Sequence, residues 1–107
     1  MKKETTVEVR ELAGLAAFQP GSVVSRMLLK NAGGSVTLFA FAAGEGLSEH
    51  TAPFDALVYV VEGEAQVEVG GEPYVVGAGR TITLPADVPH ALHAAQDFKM
   101  LLVMLRA

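Results

Sequence analysis

Glycines and prolines interrupt this sequence at short intervals, and the segments between them have the length and composition of β-strands. β-Branched and aromatic residues favour extended backbone, whereas glycine and proline favour turns. We predict eight strands, at residues 23–29, 35–42, 57–62, 65–69, 74–76, 81–84, 90–94 and 98–105. Many short strands at a spacing of about 8–12 residues are typical of a β-sandwich or barrel and not of a parallel sheet.

The strongest local signal is a hairpin around Gly70 and Gly71. Two adjacent glycines can both adopt the positive φ that a two-residue type I′ turn requires. The preceding strand alternates Glu64, Gln66 and Glu68 with apolar residues, so we predict that one face of this strand is exposed to solvent and the other is buried. The only helix candidate covers residues 11–18, and at eight residues we expect it to be a terminal turn packed on the body of the domain.

Length and composition restrict the class of protein. A chain of 107 residues, half of them hydrophobic and 19% charged, predicts one folded domain over residues 1–107. We expect residues 1–22 to form an extension that packs on or pairs with this domain. With no cysteine, the chain offers no disulfide, thiolate metal site or cysteine nucleophile. Twelve acidic against eight basic residues provide no basic stripe, so we expect no nucleic-acid partner.

Membrane insertion and export are not expected from the sequence. The longest apolar runs, residues 56–61 and 100–105, are far shorter than the ~20 residues that span a bilayer. Lys2 and Lys3 are not followed by the apolar segment of a signal peptide. We therefore expect a cytoplasmic protein without a membrane partner.

The same two runs predict an oligomer. If residues 58 and 60 face inward, residues 57, 59 and 61 face outward, and these are apolar as well. Residues 100–105 are apolar on both faces of their strand. Strands that are apolar on both faces need cover on both. A barrel of this size has few elements to spare, so we predict a homodimer packed sheet to sheet.

All three histidines lie in two segments, GEGLSEHTAPFDALVYVVEG at residues 44–63 and GRTITLPADVPHALHA at residues 79–94. The spacing of glycines, proline and histidines in these segments resembles the paired motifs of the cupin superfamily, specifically its small single-domain members with a conserved β-barrel. The resemblance covers about residues 38–105. It implies an all-β fold, the double-stranded β-helix or jelly-roll barrel of RmlC-like proteins.

The resemblance also implies a metal site, with only part of its ligand set present. In metal-binding cupins three histidines and one glutamate converge on a divalent ion inside the barrel. His50 matches the first histidine and His90 the last, but Ala52 and Ala56 stand where the second histidine and the glutamate would be. The implied cofactor is a divalent transition metal, iron, manganese, nickel or zinc, held by His50 and His90.

Two residues are alternative further donors. Asp55 adjoins the lost glutamate position, but strand alternation points it away from Ala56, unless a bend after Pro53 turns it inward. His93 is out of phase with His90 and would join the site only through a β-bulge.

Three functional hypotheses follow. The first is a small cupin that binds a divalent metal or a small molecule near His50 and His90, with dioxygenase- or isomerase-like chemistry if it is an enzyme. The alternative is a metal-free module that binds a small ligand without catalysis. The third is a dimeric scaffold, which is disfavoured because buried unpaired imidazoles are costly.

Overall fold

Two antiparallel sheets packed face to face make up the computed structural model, which describes residues 7–106. The strands are β1 (Val23–Asn31), β2 (Gly34–Phe41), β3 (Gly46–His50), β4 (Phe54–Glu62), β5 (Glu64–Val69), β6 (Glu72–Gly77), β7 (Thr81–Leu84), β8 (His90–His93) and β9 (Phe98–Arg106). Their order is β1-β2-β9-β4-β7 in one sheet and β3-β8-β5-β6 in the other. The chain crosses repeatedly between the sheets, as in a jelly roll, and the all-β prediction is confirmed.

The core lies between the two sheets because alternate residues of facing strands turn their side chains inward. Val58 and Val60 of β4 are fully buried there, opposite Ala65 of β5. Phe41 and Phe98 stack at 4.6 Å between ring centroids with 6° between the ring planes. Inward-facing residues of both sheets thus form one apolar layer.

A second, smaller cluster lies on the outer face of the five-stranded sheet. Leu12, Leu15 and Phe18 pack there against the fully buried Leu38 and against Leu101. The helix candidate at residues 11–18 is shortened to a single 3₁₀ turn, Leu12–Leu15, which packs on the sheet as the expected terminal turn. Ala16 has extended backbone, with φ −144° and ψ 128°, and so short a segment cannot offset the cost of starting an α-helix.

Most strand predictions are confirmed, with shifted ends. β3 was not predicted, because its sequence of glycine, leucine, serine, glutamate and histidine has little β propensity. The hairpin is confirmed, with φ of 58° at Gly70 and 83° at Gly71.

Within the described range, the structure has no helix long and apolar enough to cross a membrane.

Candidate functional site

The two histidines singled out by the sequence lie opposite each other on neighbouring strands of the four-stranded sheet. β3 pairs with β8, and the register places His50 opposite His90 after an irregularity between Leu47 and His50. β3 is an edge strand, whereas β8 lies between β3 and β5. His90 is accordingly buried, at 8% exposure, while His50 is exposed to solvent.

Each imidazole is oriented by a main-chain carbonyl two residues earlier in the chain. The Nδ1 of His50 lies 2.7 Å from the oxygen of Ser48, and the Nδ1 of His90 lies 3.2 Å from the oxygen of Val88. A carbonyl oxygen only accepts hydrogen bonds, so each Nδ1 carries a proton and donates it. In the neutral rings, Nε2 is then the unprotonated nitrogen with a free lone pair.

The two Nε2 atoms lie 3.1 Å apart, with the ring centroids 4.4 Å apart and the ring planes at 71°. Two lone pairs at this distance repel one another unless a positive centre lies between them. Either a shared proton, which makes one ring an imidazolium, or a bound cation supplies that centre. The backbone thus positions the two imidazoles to hold a proton or a small cation.

A cavity of about 60 Å³ adjoins the pair inside the barrel. The methyl groups of Ala52 and Ala56 contribute to its wall, so the two positions that bear ligands in metal-binding cupins do face this space. The rest of the lining is mainly apolar, from Leu47, Phe54, Leu84, Leu92, Met100, Leu102 and Met104. Such a space is much smaller than the ≈300–1,000 Å³ of sites that enclose organic ligands.

The loop before His90 contains an unusual backbone conformation. Asp87 has φ of +64°, and it is the only non-glycine residue with positive φ in the described chain. Glycine adopts positive φ without steric cost, whereas a residue with a side chain does not. The amide of Asp87 donates to the carbonyl of Ala52 at 2.9 Å, so this turn ties the two histidine-bearing segments together.

Asp55 lies away from the imidazole pair. It is the second residue of β4, is exposed, and follows the alternation that turns Ala56 inward. Its Oδ1 accepts a hydrogen bond from the amide of Ala86 at 2.9 Å, which fixes the carboxylate to the loop before β8. Pro53 produces no bend that turns Asp55 inward.

His93 is also separate from the pair. It is exposed at the end of β8 and lines a shallow groove with Gln66, Glu68 and Tyr74 on the four-stranded sheet. Among residues 7–106, no group of three or more histidine, aspartate or glutamate side chains converges on a common point. The structure therefore brings together His50 and His90 but neither alternative donor.

Sequence reasoning missed the groups that orient the imidazoles. The carbonyls of Ser48 and Val88 act through the main chain, so no side-chain pattern marks them. In both segments the orienting carbonyl lies two residues before its histidine, but only the folded structure shows that this carbonyl contacts the ring.

Comparison with known proteins places the chain in a family. Residues 37–105 match the family model described as Cupin domain. Polyketide synthase CurC of Streptomyces cyaneus is 34% identical over 65 residues, which are 60% of this chain and 42% of CurC. The chain thus spans less than half the length of that curated relative.

Solved structures agree with this match. The SPY1581 protein of unknown function from Streptococcus pyogenes superposes with a TM-score of 0.90 and 31% identity, over 99% of this chain and 93% of that protein. A cupin 2 conserved barrel domain protein from Leptotrichia buccalis gives a TM-score of 0.85 and 40% identity, over 88% of this chain and 46% of its own. The predicted fold and the resemblance are confirmed, and the chain belongs to the cupin family.

Proposed function

We propose that this cupin binds one divalent transition-metal ion between the Nε2 atoms of His50 and His90. The observation that carries the proposal is the convergence of these two nitrogens at 3.1 Å, each on a ring held through Nδ1. Metal-binding histidines commonly donate their other ring N–H to a carbonyl in this way, which fixes the tautomer.

The distance between the nitrogens fits two neighbouring ligands of one ion. Imidazole nitrogens bind zinc at 2.0–2.1 Å, so two of them in tetrahedral or octahedral geometry lie about 2.8–3.4 Å apart. The observed 3.1 Å falls within that range.

The donor set is incomplete by the standard of typical catalytic sites, which use about three protein ligands. With Ala52 and Ala56 at the other ligand positions, the remaining ligands would be water or a small substrate. The 60 Å³ cavity has room for an ion with its water, and its volume favours that occupant over an organic molecule inside the barrel.

A divalent ion held by two neutral imidazoles would act as a Lewis acid with exchangeable positions. The protein's part is to fix the two nitrogens and to keep the inner wall apolar. Buried His90 anchors the site, while exposed His50 lies on the side from which ion and substrate would enter. Isomerase- or oxygenase-type chemistry would use those exchangeable positions.

A second candidate function is favoured by the same distance. A separation of 3.1 Å is also that of an N–H···N hydrogen bond, so the pair without metal would share one proton. In that case the site is a binding module for a very small polar ligand, without metal chemistry.

Metal titration of three histidine variants tests the proposal. Untagged protein, stripped with a chelator, is titrated with Zn²⁺, Ni²⁺, Mn²⁺ and Fe²⁺ by calorimetry, and the bound metal is counted by elemental analysis. We expect one equivalent in the parent. His50→Ala and His90→Ala should each weaken binding by at least about tenfold, because one imidazole alone remains.

His93→Ala is the matched control, since it removes the third imidazole from an exposed position outside the cavity. It should bind metal like the parent. No saturable binding of any of the four ions to the parent would refute the metal proposal and leave the proton-sharing module. Equal losses in all three variants would show that the metal binds elsewhere.

A further inference from the structure

We infer that this chain binds a small organic carboxylate with an apolar body in a groove between strands β6 and β7, where Arg80 holds the carboxylate. We call this space the edge groove, and its volume is about 490 Å³. The inference goes beyond the metal site and does not depend on it, because neither His50 nor His90 lines the edge groove.

The edge groove exists because one side of the sandwich is open. β6 is the last strand of the four-stranded sheet, and β7 is the last strand of the five-stranded sheet. Within residues 7–106, β6 pairs only with β5 and β7 only with β4, so each has a free edge. The apolar layer between the two sheets therefore meets solvent along this side of the domain.

The floor of the edge groove is part of the core itself. Val69, Val76 and Ile82 line the groove, and all three belong to the main core cluster or pack against it. Tyr74 shares the inward side of β6 with Val76, yet it is 48% exposed. The ring of Tyr74 is thus free to cover an apolar ligand that displaces water from this floor.

The volume of the edge groove fits an organic molecule. Sites that enclose organic ligands usually measure ≈300–1,000 Å³, and the 490 Å³ of the edge groove lies within that range. The cavity beside the imidazole pair measures only about 60 Å³. A ligand with an apolar body therefore fits between the free edges of β6 and β7 and not inside the barrel.

Arg80 gives the edge groove a positive charge that the chain itself does not neutralise. The other three arginines each contact an acceptor, a carboxylate for Arg10 and main-chain carbonyl oxygens for Arg26 and Arg106. Among residues 7–106, the guanidinium of Arg80 contacts no acceptor, and no carboxylate side chain lines the groove. A guanidinium presents its N–H donors in a fork that matches a carboxylate, so an anionic head group is the complementary partner.

The groove on the outer face of the four-stranded sheet has the opposite character. Glu68 lines that groove and Arg80 does not, so its fixed charge repels an anion. In the edge groove, Thr81 and Thr83 add hydroxyl groups near Arg80, and hydroxyl groups can donate to a carboxylate. Charge and floor together select a ligand with one anionic end and an apolar body.

An NMR titration with two probes of the same chain length tests the inference. Chelator-stripped, ¹⁵N-labelled protein is titrated with octanoate and, separately, with octan-1-ol. Octanoate should bind saturably and shift the amide signals of residues 74–76 and 80–83. Octan-1-ol should bind more weakly, although its head group is easier to remove from water, because only the carboxylate pairs with Arg80.

Three variants assign the recognition to single groups. Arg80→Gln should weaken octanoate binding about fivefold, the effect of one exposed ion pair, and leave octan-1-ol unchanged. Lys30→Gln is the matched control, because it removes an exposed cation that lines a different groove beside β1, and it should bind octanoate like the parent. Tyr74→Ala should weaken both probes, since it removes apolar contact area from the wall of the edge groove.

Four outcomes would each overturn the inference. They are an absence of saturable octanoate binding, octan-1-ol binding as tightly as octanoate, equal losses in Arg80→Gln and Lys30→Gln, and octanoate-induced shifts centred away from β6 and β7. Because the protein is free of metal throughout, none of these results depends on whether His50 and His90 bind an ion.

Discussion

The inner and outer faces of β4 come from the same alternating strand, yet only the inner face is covered within one chain. Val58 and Val60 point inward and are fully buried, whereas Leu57 and Tyr59, which alternate with them, remain well exposed. The four-stranded sheet covers the inner face of β4, but residues 12–18 cover only half of the outer face of the five-stranded sheet. Alternation thus determines which side chains share a face and not what covers that face.

The covered and open halves of the outer face should respond differently to the same truncation. Leu38→Ala removes a fully buried side chain and should lower the free energy of unfolding by about 2–5 kcal/mol. Leu57→Ala truncates a side chain that is 40% exposed in one copy, so the monomer should lose less than about 1 kcal/mol. Urea unfolding at two protein concentrations measures both effects.

Protein concentration distinguishes the two losses. Leu38→Ala should be destabilised equally at both concentrations, whereas the loss in Leu57→Ala should grow at the higher one if the predicted homodimer covers this side chain. Losses of unfolding free energy that are similar in the two variants and independent of concentration would show that both halves of the outer face are covered in the same way.

On the inner face, the cavity wall allows a gain-of-function test. Ala56→Glu places a carboxylate where metal-binding cupins have their glutamate, beside a cavity of about 60 Å³. A third protein ligand should tighten Zn²⁺ binding about 100-fold, or about 2.7 kcal/mol. Calorimetry measures the change, and the same substitution combined with His90→Ala should lose most of the gain. Unchanged affinity in Ala56→Glu would mean that the imidazole pair does not hold the ion.

The smallest effect is expected at the turn that joins the two histidine segments. Asp87→Gly removes a side chain from a residue at φ +64° and should raise the free energy of unfolding by about 0.5 kcal/mol, after the entropy cost of glycine. Asp87→Ala should lower it, because alanine pays the same steric cost without the polar side chain that favours this turn. Thermal unfolding measures the sign of each change, and a destabilising glycine would contradict the strain at this position.

Much of the fold was predictable because its signals are local. The double glycine at 70–71 determines the turn of its own hairpin, and alternation assigns the inner and outer residues of β4. β3 was not predictable in this way, because its extended conformation comes from pairing with β8, which lies about forty residues later. The start of β4 at Phe54 likewise depends on pairing with β9 and not on the polar Asp55.

The candidate site was predictable in part. Strand parity explains why Asp55 and His93 lie on other surfaces than the imidazole pair. The distance between His50 and His90 was not predictable, since it depends on the register of two strands and on an irregularity in β3. Neither were the carbonyl contacts of the two rings, which involve only main-chain atoms.

The most direct test of the central claim is long-range ¹H–¹⁵N NMR of the three histidine side chains during a Zn²⁺ titration. Before zinc, we expect a proton on Nδ1 of both His50 and His90, and zinc should then shift the Nε2 signals of both to saturation at one equivalent while His93 stays unchanged. Zinc that leaves the Nε2 signals of His50 and His90 in place, or shifts His93 instead, would contradict the proposed site.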